Sequence, residues 1–344
     1  MKYLKNLLWL VGILFLMLPI GCRSIHSPKM VAFYNVENLF DTIDTPGVND
    51  SEFTPESKKV WNTGRYHRKL ENISSVIAEL GREAQVEAPA VMGLAEVENK
   101  RVVEDLVSSI PLERFNYRII HKDSPDKRGI DVALIYRPGY FKPKHTRFVP
   151  LHIQDEEGEP IPTRDILVAS GKFAGKKLHF IVCHWPSRYG GQERSIPLRI
   201  AAAEVTRSIV DSLRTEDPAS HIVVMGDLND DPIDTSVKDY LKAGLFPQPA
   251  QSDSLYNATA SIFLKGRGTL CYRGKWNLFD QFILSPNFLS SRKGHLRLIE
   301  TGVFNKPFLW QQDGDYRGYP FRTFVGNWYH GGYSDHFPSY IIVQ

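Results

Sequence analysis

Cysteine is scarce in this chain: Cys22, Cys183 and Cys271 are the only three in 344 residues. A scaffold held by several disulfides is excluded, and no paired Cys/His spacing of a zinc site is present. Cys183 and Cys271 lie in apolar or strand-like stretches and are expected as buried free thiols, with a single disulfide as the alternative. Charge of one sign is lacking too. Formal net charge is +3, and without Lys2 and Lys5 the 42 basic side chains become 40 against 39 acidic ones. No overall basic field draws the protein to nucleic acid, so any such binding has to be local. Internal repeats and low-complexity segments are absent, which excludes solenoids and arrays.

Long hydrophobic runs are almost absent as well. The one that exists, residues 7–20, follows Lys2 and Lys5 and precedes Gly21-Cys22. A positive start, a short apolar stretch and a small residue before a cleavage point read as a signal peptide, and the stretch is short for a bilayer span. Leu18-Pro19-Ile20-Gly21-Cys22 resembles a bacterial lipoprotein box, although Pro19 stands where that pattern has Leu. Cys22 is then the expected lipidation site, with simple secretion as the alternative. Either way the chain is expected to leave the cytoplasm, as a periplasmic or surface lipoprotein or a secreted protein. It divides into a leader (1–21), a short tether (22–29) and one domain (30–344).

What is present is a mixture of strands and helices. Apolar runs predict strands at 30–36, 90–95, 117–120, 130–136, 166–169, 178–183, 222–225, 278–284 and 340–343. Tyr66, Leu70, Ile73, Ile77 and Leu80 recur at helical spacing, with Gly81 as the expected stop. Further helices are predicted over 99–110, with Ile110 facing inward, and over about 196–213. Long irregular stretches are expected at 46–61 and 305–333. With 42% hydrophobic residues and no interdomain linker, the expectation is one α/β (α+β) domain of two stacked mixed sheets flanked by helices.

Polar residues gather where the apolar runs end: Asn35, Glu96, His184, Asp227, Asn229, Asp280, Asp335 and His336. Ligands of sheet-based folds collect outside strand ends. Carboxylates converging there repel one another unless a cation compensates. The set is rich in oxygen and free of thiolate, so Mg²⁺ or Mn²⁺ is the expected resident.

These residues sit in a series of short motifs. Asn35-Val36-Glu37-Asn38-Leu39-Phe40, Glu96-Val97-Glu98-Asn99, Arg128-Gly129-Ile130-Asp131, His184-Trp185-Pro186-Ser187-Arg188, Gly226-Asp227-Leu228-Asn229, Asp280 and Ser334-Asp335-His336 follow in this order. In that order they resemble the endonuclease/exonuclease/phosphatase superfamily with its DNase I-like, four-layer α/β/β/α sandwich. The resemblance implies that Glu96 is the main metal-binding carboxylate, with Asn35 and Asp335 as further ligands or water holders. It implies that His336 is the catalytic histidine, that Asp280 fixes its ring, that Asp227 and Asn229 orient or deprotonate the attacking water, and that His184 contacts the scissile phosphate.

Other residues stay open. Arg128 and Arg164 are candidates to bind substrate phosphate, or else pair with Asp126 and Asp165. Arg188 and Arg199 are expected to brace the loop after His184. Asp131 and Asp165 open strands and are expected at the opposite rim. Local basic clusters at 65–69, 265–267 and 292–295 suit a nucleic-acid backbone. The aromatic residues of 310–333 could stack bases or simply pack. The expected function is a metal-dependent phosphodiesterase, a nuclease in the first instance, with nucleic acid or another phosphodiester as substrate. The alternative is a phospholipid or sugar-phosphate hydrolase, for which Phe308-Leu309-Trp310 is the candidate membrane loop. An inactive binding protein on the same scaffold is the third reading.

Overall fold

Alternation along the first strand shows how the layers arise. In Lys29–Leu39, Met30, Ala32, Tyr34 and Val36 pack with one apolar cluster while Val31 and Phe33 pack with another. Successive side chains of a strand point to opposite faces, and here both faces are covered. The computed structural model describes residues 27–155, 157–247, 253–291 and 295–344. The expected leader, Cys22 and most of the 292–295 basic cluster lie outside the described residues.

A six-stranded sheet runs in spatial order Leu298–Val303, Ser339–Val343, Lys29–Leu39, Val91–Val97, Asp131–Tyr136, Arg118–His121. A seven-stranded sheet runs Ala243–Gly244, Leu255–Asn257, Asp280–Leu284, His221–Asp227, Lys176–His184, Ile166–Phe173, Phe141–Val149. Phe33, Val91 and Leu134 of the first sheet meet Phe180, Val223 and Phe282 of the second. Outside the first sheet, Ile73, Ile77 and Leu80 of the helix Thr63–Glu83 and Val102, Val103 and Leu106 of the helix Lys100–Ser108 close a second core. Outside the second, Ala202, Ala203, Val210 and Leu213 of the helix Gln192–Glu216 close a third. The result is the four-layer α/β/β/α sandwich with mixed sheets.

Several local expectations needed revision. The first long helix runs through Gly81 to Glu83 and is capped by Ala84. Gly81 is required for a different reason: a Cβ there would overlap the Ala88 backbone. The second helix stops at Ser108, because Pro111 has no N–H to continue the ladder. A separate turn, Ile110–Glu113, follows, and Ile110 is 83% exposed instead of facing inward. Cys183 is buried as expected, whereas Cys271 is only half-buried; both thiols are free.

The edge strand Phe141–Val149 escaped the sequence reading. Lys142, Lys144, His145, Thr146 and Arg147 lie along it, so it carries no apolar run. Charged side chains on a sheet edge discourage pairing with another chain, which accounts for that composition. Among the described residues, no helix is long and apolar enough to cross a membrane.

Candidate active site

Register places the polar residues. Asn35 stands opposite Ala95 in a parallel pair, with Glu96 the next residue along. In the second sheet Asp227 is flanked by His184 on the parallel side and by Asp280 on the antiparallel side. Asp335 and His336 lead into the strand Ser339–Val343, whose Ser339 pairs with Phe33. All of these lie at one edge of the sandwich.

Glu96 is aimed by a bulge. Ala95 pairs with Val132 and Val97 with Asp131, which leaves Glu96 as the extra residue, at φ 64. A bulge re-aims a side chain, and a positive φ outside glycine is held only where the surroundings impose it. Glu37, Asn38 and Asn229 share that strain, at φ 51, 52 and 52. Gly226 is needed because a Cβ there would overlap the carbonyl of Cys183, forcing apart the strands that carry Asp227 and His184.

The resulting geometry is close. Asn35 Nδ2 donates to Asp227 Oδ2 at 3.0 Å and to Glu96 Oε1 at 3.3 Å, while its Oδ1 accepts from the Glu37 N–H at 3.0 Å. The Asn38 N–H donates to Glu96 Oε2 at 3.0 Å. His336 Nδ1 lies 2.6 Å from Asp280 Oδ2, and its Nε2 lies 3.9 Å from Asp227 Oδ2. His184 Nε2 is 3.7 Å from Asp227 Oδ2 and 4.0 Å from Glu96 Oε1. Asn229 donates its amide to the Trp185 carbonyl at 3.0 Å, and its N–H donates to Asp227 Oδ1 at 2.9 Å. Every oxygen of the central carboxylate Asp227 is therefore oriented.

Electrostatics separate the two histidines. Burial disfavours a charged His336 ring, but Asp280, Asp227 and Asp335 outweigh it and raise its pKa well above the usual value. Burial, aided by Arg164, Arg128 and His336, pushes His184 well below it, so that ring is neutral. Burial first, and Asp280 next, push Asp227 up to about 6.

An ionic cluster around Asp335, with Glu37 and Lys69 buried and Arg322 at the surface, carried no sequence signal. Arg322 bonds Asp335 Oδ2 at 2.9 Å and Glu37 Oε1 at 3.2 Å, and the Thr323 N–H donates to Glu37 Oε2 at 2.6 Å. Lys69 Nζ lies 3.8 Å from Glu37 and donates to Thr323 Oγ1 and the Tyr333 carbonyl, each at 2.6 Å. Burial lowers Lys69 to about 8 against the pull of Glu37. Burial opposes ionisation of Asp335 as well, yet Arg322, His336 and Lys69 together hold its carboxyl below the usual range. Arg322 lies in the stretch that read as irregular, and its ion pair with Glu37, across such sequence separation, leaves no local pattern.

Arg164, Arg188 and Arg199 take up the bracing and pairing roles open to them, whereas Asp131 and Asp165 fall differently from expectation. Arg164 is buried, with its guanidinium committed to Asp126 at 2.9 Å and to the carbonyls of His184 (3.2 Å) and Trp185 (2.6 Å). It braces the His184 loop, with all three guanidinium nitrogens engaged by protein acceptors. Arg128 is exposed and stands near enough to His184 to depress its proton affinity, so it can reach an incoming anion. Arg188 bonds the Asn229 carbonyl, Asp230 and Asp234, and Arg199 pairs with Asp230 at 2.7 Å. Asp131 and Asp165 lie at the same rim as the site, because an antiparallel strand opens where its neighbour closes. Their carboxylates are taken by His121 and Ser124, and by Lys122.

The donor set fits a hard divalent cation. Glu96 and Asp227 share Asn35 and His184, Glu96 and Asp335 both act on Arg322, no thiolate is near, and Arg322, Lys69 and His336 are the cations facing this set. Two groups among the described residues bring His and carboxylate atoms within 4.8 Å of one another: Asp227, Asp280 and His336, and His121, Asp123 and Asp131. In the first, the short contact to Asp280 already occupies His336 Nδ1.

Comparisons with known proteins agree with this layout. The profile of the endonuclease/exonuclease/phosphatase family matches residues 30–344. No curated protein sequence matches the chain. Among solved structures, humanized zebrafish (D. rerio) TDP2 is 14% identical with a TM-score of 0.54, over 93% of this chain and 100% of that one. A mannosyl-6-phosphatase of Bacteroides thetaiotaomicron is 16% identical with a TM-score of 0.55, over 92% and 99%. The human Nocturnin catalytic domain is 14% identical with a TM-score of 0.52, over 92% and 94%. At these identities the likeness concerns the fold alone.

Proposed function

The chain belongs to the endonuclease/exonuclease/phosphatase family, and from that premise we propose that it is a divalent-cation-dependent phosphodiester hydrolase of the cell envelope that cleaves nucleic acid. The observation that carries this reading is the line Asp280–His336–Asp227, with Asn35 tying Asp227 to Glu96. A phosphodiester resists hydroxide through its own charge, so hydrolysis requires charge neutralisation, an in-line water and help for the departing alkoxide.

Glu96 and Asp335 would hold Mg²⁺ or Mn²⁺, with Asn35 fixing the spacing between Glu96 and Asp227. When bound, such an ion neutralises phosphate charge and acts as a Lewis acid. Asp227 and Asn229 orient the attacking water. His336, held in one tautomer by Asp280, acts with Asp227 as one proton-transfer unit across the 3.9 Å gap, which a water or a phosphate oxygen fills. Neutral His184 faces the same space and contacts the scissile phosphate, and Arg128 receives it from solvent.

The surface favours nucleic acid over lipid. In the turn Pro307–Leu309, Leu309 is buried and Trp310 half-buried, and Phe308, 40% exposed, packs one side against Phe304 and Tyr333, so the loop offers a single partly exposed ring and not a broad apolar surface for a membrane. The test is to incubate purified protein with plasmid, single-stranded DNA, RNA, sphingomyelin, a sugar phosphate and bis-p-nitrophenyl phosphate, with and without EDTA. EDTA-sensitive cleavage of a nucleic acid is expected. Cleavage of sphingomyelin or the sugar phosphate alone would replace this reading with the lipid or sugar one.

The envelope part of the proposal is supported by the sequence alone: Lys2, Lys5, the apolar residues 7–20 and Cys22 fit a lipid-anchored exported protein. Mass spectrometry of the membrane fraction is expected to find an N-terminal peptide that begins at acylated Cys22. A chain that retains residues 1–21, or a mature form without lipid, would contradict the anchor.

A further inference from the structure

A cleft of about 420 Å³ opens beside Asp335, lined by Tyr272, Arg273, Tyr316, Tyr319 and Arg322. Tyr272 and Tyr316 are 61% and 58% exposed, so each still turns ring surface to solvent. We propose that this cleft is the specificity pocket of the site and takes a nucleobase carried next to the scissile phosphate; the proposal rests on the phosphodiesterase reading above and names its substrate class.

The cleft is continuous with the chemistry. Arg322 and Asp335 form part of its wall and are joined to each other at 2.9 Å. A chain of rings also ties it to the catalytic histidine. Tyr316 meets Tyr319 edge-on at 5.6 Å, Tyr319 meets Trp276 at 6.2 Å, and Trp276 stacks on Phe337, next to His336, at 5.9 Å. The backbone repeats the link: the Phe337 N–H donates to the Thr269 carbonyl at 2.7 Å, just before the hairpin of Leu270–Tyr272 and Lys275–Asn277 that presents Tyr272. A group seated in the cleft is therefore held at a fixed distance from the reacting phosphate.

Its chemistry suits a base. Every base has a π-face, and stacking on tyrosine accepts any of them. Arg273 lies over the Tyr272 ring at 5.2 Å, at a hairpin tip where it adopts φ 48 and Gly274 adopts φ 80. An arginine in a left-handed turn position is strained, and such strain persists where the surroundings impose it. Arg273 offers positive charge to a flanking phosphate. Gln311 and His330, also in the wall, can hydrogen-bond the edge of a stacked base; they can serve sugar hydroxyls too, so the experiment includes a sugar phosphate.

The experiment uses two single-stranded oligonucleotides, one with ordinary bases and one abasic throughout, with the full chain and with the Tyr272→Ala/Tyr316→Ala double variant. Both rings are exposed, so the variant keeps the fold. Wild type is expected to favour the base-bearing strand in kcat/KM by roughly 10- to 100-fold, mostly through KM, as stacking of one or two bases provides. The double variant should bring that ratio close to 1, and Tyr272→Phe/Tyr316→Phe should restore it. An unchanged ratio, or loss only on a sugar phosphate, would overturn the proposal. Calorimetry of His336→Ala with thymidine 5′-monophosphate against ribose 5-phosphate separates the two readings. Tyrosine-dependent binding of the nucleotide alone supports the cleft even if no strand is cleaved, and equal binding of both, or of neither, refutes it.

Discussion

Replacing His336 by alanine is expected to lower kcat for phosphodiester hydrolysis by roughly 10²- to 10⁴-fold, the usual share of a positioned acid or base. Asp280 lies 2.6 Å from its Nδ1 and is fully buried, so the change leaves a buried carboxylate without its partner. Breaking such a pair costs about 3–5 kcal/mol of stability, and the variant must be assayed below its own melting temperature. Asp280→Asn separates the two effects, because it keeps a group of the same shape beside the ring while removing the charge that holds it protonated. Activity should still fall by about 100-fold or more, with a smaller loss of stability. The pH profile adds a third check. Asp227, pushed up to about 6 by burial and by Asp280, accepts protons only above that value, so the rate should fall as pH drops through it. The charged His336 ring keeps its proton through neutrality, so no second limb is expected near its ordinary pKa. Full activity of His336→Ala in a steady-state assay would remove this histidine from the mechanism.

Glu96→Gln carries the second large effect. The substitution keeps an oxygen for the Asn38 N–H and loses only the longer bond from Asn35, whose Nδ2 then meets an amide nitrogen, while the backbone pairing that forms the bulge is unchanged. What it removes is the charge at the cation site. A loss of about 10²- to 10³-fold in kcat/KM is expected, with part of the deficit recovered as Mg²⁺ or Mn²⁺ is raised. A metal titration of initial rates measures it; a profile identical to wild type would place the cation elsewhere.

The layers were legible because both sheets are buried on two faces and their strands read as apolar runs, and the residues at the ends of those runs proved to share one edge. The edge strand Phe141–Val149 was not legible, since solvent on its margin permits Lys, His and Arg where a central strand requires Val or Ile. Asp131 and Asp165 were assigned to the wrong rim because strand direction is a property of the sheet and not of the segment. From the sequence Arg164 is open between substrate phosphate and Asp126; the structure has it on Asp126, and nothing in the sequence signals that the carbonyls of His184 and Trp185 would meet it as well. Glu37, Lys69 and Arg322 come from three distant segments, and only the folded chain brings their charges together. The bulge at Glu96 belongs to the same class: one unpaired residue is visible only once the register of Val91–Val97 against Asp131–Tyr136 is known.

The most direct measurement is a Mn²⁺ titration of the chain followed by electron paramagnetic resonance, run on wild type, Glu96→Gln and Asp123→Asn. The last variant alters the other His/carboxylate group at this rim, His121, Asp123 and Asp131. The account predicts that Mn²⁺ binding weakens sharply in Glu96→Gln and is retained in Asp123→Asn, with hydrolysis following the same order. Binding that survives loss of the Glu96 charge and disappears with Asp123 would contradict it.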